Sequence, residues 1–156
     1  MFKYSVITLS DRASENIYED LSGSYIKKEL SEDFELDSYH LIKDEESQLS
    51  MLIKELSNSS DLIITTGGTG LCSRDITVNV IESIMEYEVR GISTAIHMYS
   101  LQKSSGAMFS RALGAVYNNT LIITLPGSVK AVTELVSYLK PNLEHGLKHL
   151  LDIKVH

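Results

Sequence analysis

Apolar residues along the chain alternate between the two-residue period of a strand and the longer period of a helix. Three segments have the composition of strands that pack against a core, and each is followed by apolar residues at helical spacing. The predicted strands are residues 4–9, 35–42 and 61–66. The helical stripes that follow them contain Leu21 and Ile26, then Leu49 and Ile53, then Val80 and Ile84. The first half of the chain therefore predicts three strand–helix units.

The second half of the chain continues with both periods. A long helix is predicted over residues 130–151, and we expect Pro141 to interrupt it because proline has no backbone N–H to donate. Asn118 and Asn119 predict a turn between two short strands. The other predicted elements are a helix from residue 91 to about 101, a loop at residues 104–106, and strands at residues 115–117 and 121–125.

Alternating strands and helices are typical of an α/β fold, in which helices cover both faces of a mostly parallel sheet. We find no internal repeat or linker, so residues 1–156 are interpreted as a single three-layer domain. Ligands of such sheets bind beyond the carboxyl ends of the strands. Three polar loops are predicted at that edge, with the sequences SDRAS (10–14), TTGGTG (65–70) and LPGS (125–128).

Composition narrows the classes of partner. The chain of 156 residues has a net charge of −7, which argues against non-specific binding to nucleic acid. The single cysteine, Cys72, excludes an internal disulfide and fits a reducing compartment. No apolar run is long enough for a signal peptide core or a membrane span. We therefore expect a soluble cytoplasmic protein with no membrane partner, in which any phosphate is bound locally.

The loop after the third predicted strand contains the most unusual sequence, GGTG at residues 67–70. It lacks the lysine of a P-loop and the spacing of a dinucleotide-binding G-x-G-x-x-G motif. Glycine still lets a ligand approach backbone N–H groups closely, and Thr66 and Thr69 add hydroxyl groups. The alternative is a tight strand-to-helix turn that binds nothing. A helix is predicted to start after this loop, with Thr77 at its N-cap.

Charged residues near these loops indicate an anion site. Asp75 follows the glycine loop, and Asp44 follows the second strand at the same predicted edge. Two carboxylates beside a phosphate suit Mg²⁺, which completes its coordination with water and phosphate oxygens. Cationic side chains that could contact a phosphate are Arg12, Arg74, Arg111 and Lys130. Each of these residues could instead be an ordinary solvated surface charge.

Four ordered motifs carry a family resemblance over nearly the whole chain. They are SDRAS with a following Y.D.SG (10–23), TTGGTG with a following RD.T (65–77), SRALGA (110–115) and LPGS.KAV.E (125–134). Together they resemble the molybdopterin adenylyltransferases of molybdenum cofactor biosynthesis. The resemblance implies a compact α/β domain that forms a homotrimer and has ATP and molybdopterin as substrates and Mg²⁺ as cofactor. It also implies contact with other proteins of that biosynthesis.

The same resemblance implies roles for individual residues. Asp44 and Asp75 match the catalytic aspartates that are associated with the metal. The glycine loop and the PGS segment match regions that help to hold the nucleotide, and the SDR and SR residues match the surroundings of the pterin. The residues implied to bind nucleotide or pterin are Ser10, Asp11, Arg12, Thr66, Gly67, Gly68, Thr69, Gly70, Arg74, Ser110, Arg111, Pro126, Gly127, Ser128 and Lys130.

Several positions depart from the common pattern of this family. Val78 and Asn79 stand where proline and an acidic residue are frequent, and Val129 stands in place of a proline. Arg90 and Asn16 also replace a common proline and a common glycine. These departures leave two alternatives to the enzyme: a non-catalytic molybdopterin-binding or scaffold protein, and a relative that hydrolyses nucleotides.

Overall fold

The computed structural model describes residues 1–153, which contain six strands in one sheet. The strands are β1 (Lys3–Leu9), β2 (Glu35–Ile42), β3 (Leu62–Thr66), β4 (Tyr87–Glu88), β5 (Gly114–Tyr117) and β6 (Thr120–Leu125). The helices are α1 (Asp11–Ser14), α2 (Leu21–Leu30), α3 (Glu46–Leu56), α4 (Thr77–Ile84), α5 (Arg90–Lys103) and α6 (Val129–Leu150). A 3₁₀ turn, Ser105–Phe109, follows α5.

The sheet has the strand order β2-β1-β3-β6-β5-β4. The first four strands in this order are parallel, whereas β5 and β4 run antiparallel to their neighbours. Thr8 of β1 pairs with Thr66 of β3, and Thr66 in turn pairs with Leu125 of β6. The carboxyl ends of β1, β3 and β6 therefore lie side by side, which confirms the predicted common edge for the three polar loops.

Helices cover both faces of the sheet, because its parallel strands are apolar on both sides. In β1, Tyr4 and Val6 point into one buried cluster, while Ile7 and Leu9 point into another. The first cluster includes buried residues of α2, α5 and α6, and the second includes those of α3 and α4. The predicted three-layer α/β architecture is thus confirmed. No helix within residues 1–153 has both the length and the apolar content needed to cross a membrane.

Helix α6 runs through Pro141 without a break, so the predicted interruption was wrong. Proline leaves the carbonyl four residues earlier without its usual helical N–H donor. Buried residues lie on both sides of it, with Leu135 and Val136 before and Leu143 and Leu147 after, and all four belong to the same cluster. Burial of both halves of the helix against one core stabilises the continuous helix enough to offset the lost hydrogen bond.

Helix α4 begins at Thr77, so this residue is not the N-cap that the sequence predicts. The cap position is Ile76, and the Thr77 hydroxyl instead donates to the carbonyl of Gly67 at 2.9 Å. The short elements α1 and β4 were not predicted from the sequence, and part of the 3₁₀ turn was predicted as a loop. Such short segments have too few residues to show a hydrophobic period.

The predicted turn between β5 and β6 is confirmed, and its geometry explains both asparagines. Asn118 and Asn119 have φ values of +49° and +58°, as a two-residue type I′ hairpin turn requires. The Asn118 side chain also donates to the carbonyl of Ser57 at 3.3 Å. Asn119 is exposed, so its contribution comes mainly from its tolerance of the left-handed conformation.

We expect Asn119→Val to lower the free energy of unfolding by about 1–2 kcal/mol, because a β-branched residue is strained at positive φ. Asn119→Gly should preserve the stability or raise it slightly. Urea denaturation measures both changes. Asn142→Val is a matched control on an exposed turn of α6, where the two residues have similar helix propensity and the change should be below about 0.5 kcal/mol. Equal losses for the two valine variants would contradict the prediction.

Candidate functional site

A cavity of about 670 Å³ opens beyond the carboxyl ends of β1 and β3. It brings together twelve of the seventeen site residues that the sequence predicts, from all three polar loops and from the end of β2. These are Ser10, Asp11, Arg12, Asp44, Thr66, Gly67, Gly68, Thr69, Gly70, Arg74, Asp75 and Gly127. Asp20 and Ser22, near the start of α2, also line it and were not predicted as site residues.

The glycine loop packs tightly against the protein itself. Gly67 and Gly68 have φ values of +95° and +71°, which residues other than glycine rarely adopt. A Cβ atom on Gly67 would clash with the carbonyl oxygen of Leu9, and one on Gly68 would clash with the Thr77 hydroxyl. At Gly70 a Cβ would come within 2.7 Å of Asp75 Oδ2. Gly67 and Gly68 are therefore required by internal packing, whether or not a ligand also approaches the loop, whereas Gly70 is crowded only by the end of a side chain.

Asp11 and Asp44 hold each other through reciprocal backbone contacts. The Asp44 N–H donates to Asp11 Oδ1 at 3.0 Å, and the Asp11 N–H donates to Asp44 Oδ2 at 3.4 Å. Arg74 forms an ion pair with the other oxygen of Asp11. The backbone hydrogen bond from Asp44 and the neighbouring Arg74 lower the pKa of Asp11. Asp11 is therefore fixed as an anion at one side of the cavity.

Asp44 is in a different electrostatic environment. Its pKa is raised, first by burial and then by the negative charge of Asp11, with a smaller contribution from Asp75. Asp44 and Asp75 line the same cavity, so the two predicted catalytic carboxylates lie at one site. A cation beside Asp44 would relieve this repulsion, since an opposite charge favours the ionised carboxylate.

Asp75 points one carboxylate oxygen into its own loop. Its Oδ2 accepts from the Cys72 N–H at 2.9 Å, and its backbone N–H donates to the Cys72 carbonyl at 3.0 Å. Within residues 1–153 the structure gives Oδ1 no hydrogen-bond donor, and the residue lines the cavity. One oxygen is thus free to contact a ligand while the other fixes the side chain.

The carboxylates of this cavity suit Mg²⁺ better than a metal held entirely by protein ligands. The described part of the chain contains no group of three or more His, Cys, Asp or Glu residues arranged around a metal position. Mg²⁺ is commonly held by one or two carboxylates together with water and phosphate oxygens. Asp44 and Asp75 could supply those carboxylates, so the donor set fits this cation when a phosphate is also bound.

A second cavity, of about 310 Å³, lies between α5, the 3₁₀ turn and the start of α6. Four more predicted residues line it: Ser110, Pro126, Ser128 and Lys130. His97, Ser100 and Lys103 of α5 line it as well and were missed. Their spacing of three residues along one helix was the available signal, but only the fold shows that this face meets LPGS.

The LPGS segment links the two cavities and is itself held firmly. The Thr66 hydroxyl donates to the Pro126 carbonyl at 2.8 Å, and the Ser22 hydroxyl donates to the Gly127 carbonyl at 3.0 Å. Ser128 caps α6 by accepting from the Ala131 N–H at 3.2 Å. Gly127 lines the larger cavity, while Pro126 and Ser128 line the smaller one.

Arg111 is the one predicted site residue that lines neither cavity. Its guanidinium group contacts the carbonyls of Gly70 and Asp75 and the side chain of Asn79. Arg12, in contrast, lines the larger cavity and lies 5.6 Å from the centre of the Tyr18 ring, in cation–π geometry.

The positions that depart from the family pattern are accommodated locally. Val78 is buried in the core cluster between the sheet and helices α3 and α4. Asn16 has a φ of +59°, which asparagine tolerates. Val129 is the first residue of α6, where proline is favoured but not required. None of these replacements interrupts a strand or a helix.

Comparison with known proteins agrees with this fold. A family model described as a probable molybdopterin binding domain matches residues 5–145. The chain is 38% identical to a molybdopterin adenylyltransferase of Helicobacter pylori, over 94% of this chain and 86% of the relative. It is 34% identical to gephyrin of Dictyostelium discoideum over 91% of this chain, but it spans only 21% of the length of that protein.

Solved structures show the same architecture. The molybdopterin biosynthesis enzyme MoaB from Thermus thermophilus has a TM-score of 0.90 to this chain at 31% sequence identity, covering 97% of this chain and 98% of that one. Because the family model also covers most of the sequence, the chain belongs to the probable molybdopterin binding domain family.

Proposed function

We propose that this protein is a molybdopterin adenylyltransferase, which transfers AMP from Mg-ATP to the terminal phosphate of molybdopterin and releases pyrophosphate. The observation that carries the proposal is the placement of Asp44 and Asp75 at one cavity together with the glycine loop. The similarity to the Helicobacter pylori molybdopterin adenylyltransferase supports it, since that match extends over most of both chains.

The reaction requires alignment of charged groups more than proton transfer. A phosphate oxygen of molybdopterin, largely deprotonated at neutral pH, attacks the α-phosphorus of ATP, and the bond from that phosphorus to the bridging oxygen of the β-phosphate breaks. The electron pair of that bond leaves with pyrophosphate. A bound Mg²⁺ would neutralise negative charge on the phosphate oxygens, and Asp44 and Asp75 are the residues that would hold it.

The other residues of the site would bind and orient the two substrates. The glycine loop lines a cavity large enough for a nucleotide, and Arg12 and Arg74 supply positive charge at its walls. The smaller cavity adds Lys103 and Lys130 beside LPGS. Because LPGS borders both cavities, substrates bound in each would meet at this segment.

We also propose that residues 1–156 form one domain and that the protein acts in the cytoplasm with other proteins of molybdenum cofactor biosynthesis. The free, exposed Cys72 fits a reducing compartment. The protein is a homotrimer, and the apolar side chains of Met98, Met108 and Phe109, which are exposed in the single chain, are candidates for subunit contacts.

The function is tested by incubating the protein with molybdopterin, ATP and Mg²⁺ and measuring pyrophosphate. We expect release that depends on both substrates and stops when EDTA removes the metal. Calorimetry provides the decisive comparison. Binding of molybdopterin without ATP binding or pyrophosphate release would identify a non-catalytic binding protein instead. Release of phosphate or AMP without molybdopterin would identify a nucleotide hydrolase.

Asp75→Asn should reduce the rate of pyrophosphate release by about 100-fold or more, because it removes a charge that acts directly at the phosphates. The asparagine oxygen can still accept from the Cys72 N–H, so the loop and the molybdopterin affinity should be preserved. Glu82→Gln is the matched control, an exposed carboxylate of α4 outside both cavities, and it should leave the rate unchanged. A normal rate in Asp75→Asn would exclude the proposed role.

Gly70→Ala should change the metal requirement with little effect on stability. The added methyl group would lie 2.7 Å from Asp75 Oδ2, and the flexible carboxylate can move away at small cost. We expect the Mg²⁺ concentration at half-maximal rate to rise by about 5-fold or more, since the ligand geometry of Mg²⁺ is strict. Gly146→Ala, where a Cβ meets nothing within 4 Å, is the control. An unchanged Mg²⁺ requirement would contradict the prediction.

Sedimentation equilibrium tests the proposed trimer. We expect a mass three times that of the 17.4 kDa chain at micromolar concentration. Met108→Glu together with Phe109→Glu should shift the distribution toward smaller species, because a buried unpaired carboxylate is costly in an apolar interface. The double variant Glu32→Gln and Glu82→Gln, at exposed polar positions, is the control and should sediment as the unmodified protein does. A monomer at all concentrations would overturn the trimer.

A further inference from the structure

Arg111 joins the segment before β5 to the loop that carries Asp75 and to the start of α4. Its Nε donates to the Gly70 carbonyl at 2.9 Å, and its Nη2 donates to the Asp75 carbonyl at 2.8 Å. Its Nη1 donates to Asn79 Oδ1 at 2.7 Å, and its backbone N–H donates to the Thr69 carbonyl at 2.8 Å. All three guanidinium nitrogens thus contact protein acceptors.

We propose that Arg111 is a positioning residue, which holds Asp75 in place, and that it is not a ligand of nucleotide or pterin. The role in catalysis rests on the adenylyltransferase function proposed above. Arg111 lines neither cavity, so its side chain contacts the loop without facing either cavity. Its effect on a substrate would pass through Asp75.

The loop needs an anchor of this kind. Residues 71–74 are exposed, and the other hydrogen bonds of Asp75 in the described part of the chain are local ones with Cys72. A loop with few buried contacts and exposed hydrogen bonds opens easily. Arg111 is itself partly buried just before β5, and its hydrogen bond to the Asp75 carbonyl ties this part of the loop to the sheet. This contact restricts the directions in which the Asp75 carboxylate can point.

An arginine is specifically required for this geometry. Its planar guanidinium presents donors in several fixed directions, so it can contact Gly70, Asp75 and Asn79 at the same time. A lysine has one ammonium group on a flexible stem and would reach fewer of these acceptors. Arg111→Lys therefore keeps the positive charge but removes most of the clamp.

Asn79 has a defined function in this arrangement. It is one of the departures from the family pattern noted in the sequence, and its side-chain oxygen accepts from Arg111 as a carboxylate would. Within residues 1–153 Arg111 forms no salt bridge, so its charge is not paired with a carboxylate. The replacement thus preserves the hydrogen bond that the clamp needs and leaves the positive charge beside the Asp75 peptide.

The test compares Arg111→Lys, Asn79→Ala and Asn79→Asp with the unmodified protein. For Arg111→Lys we expect kcat to fall by about 10-fold or more and the half-saturating Mg²⁺ concentration to rise by about 5-fold, while the dissociation constant for molybdopterin stays within about 2-fold. Asn79→Ala removes one of three contacts and should give smaller changes of the same kind. Asn79→Asp keeps the acceptor and should remain near the activity of the unmodified protein.

Lys130→Met provides a contrasting pattern, because Lys130 lines the smaller cavity. It should weaken substrate binding without changing the Mg²⁺ requirement. Arg111→Lys behaving in the same way, with molybdopterin binding about 10-fold weaker and an unchanged metal requirement, would identify Arg111 as a ligand and overturn the proposal.

Two measurements keep the inference separate from the proposed activity. Amide hydrogen exchange of residues 71–76 should be about 10-fold faster in Arg111→Lys than in the unmodified protein, with no substrate present. A crystal structure of the variant should show the Asp75 carboxylate displaced. If the unmodified protein releases no pyrophosphate, the enzymatic function fails while these two measurements still decide the clamp. Unchanged exchange and an unmoved Asp75 would overturn it.

Discussion

The site depends on the close approach of the Gly67 backbone to the ends of two neighbouring strands and to α4. The Gly67 N–H donates to the carbonyl of Leu125 at the end of β6, and the space of a Cβ atom is occupied by the carbonyl of Leu9 at the end of β1. The Gly67 carbonyl accepts from the Thr77 hydroxyl at the start of α4. Larger residues cannot make this junction, so the position of the glycine loop, of LPGS and of α4 follows from it.

This junction also sets the electrostatics of the cavity. By holding the loop after β3 against the end of β1, it places Asp75 at the same cavity as Asp11 and Asp44, in a chain that already has a net charge of −7. Arg74 compensates Asp11 directly, whereas Asp44 keeps a raised pKa because of its burial and the negative charge of Asp11. The cavity is therefore suited to an anion only when a cation accompanies it, which agrees with a proposed Mg-nucleotide substrate.

The sequence predicted most elements because their hydrophobic periods are clear, and β2 has the predicted bounds. It also placed Asp44, Asp75 and the glycine loop at one edge, since parallel strands end on the same side. It could not predict that Pro141 lies within a continuous helix, because that result depends on buried contacts from both halves of α6. Nor could it separate Arg111 from the residues that line the cavities, since its partners at 70, 75 and 79 meet it only after folding.

The contacts of Val78 and Asn79 show how the departures at these two positions affect the site. Val78 lies on the buried face of α4 and packs in the core, and Asn79 accepts a hydrogen bond from Arg111. Neither residue lines the cavity that contains Asp44 and Asp75. A change at these positions can alter the support of Asp75, but it does not replace a group that would touch a phosphate. Because the structure retains both the packing of α4 and the contact with Arg111, these two residues are not an argument against catalysis.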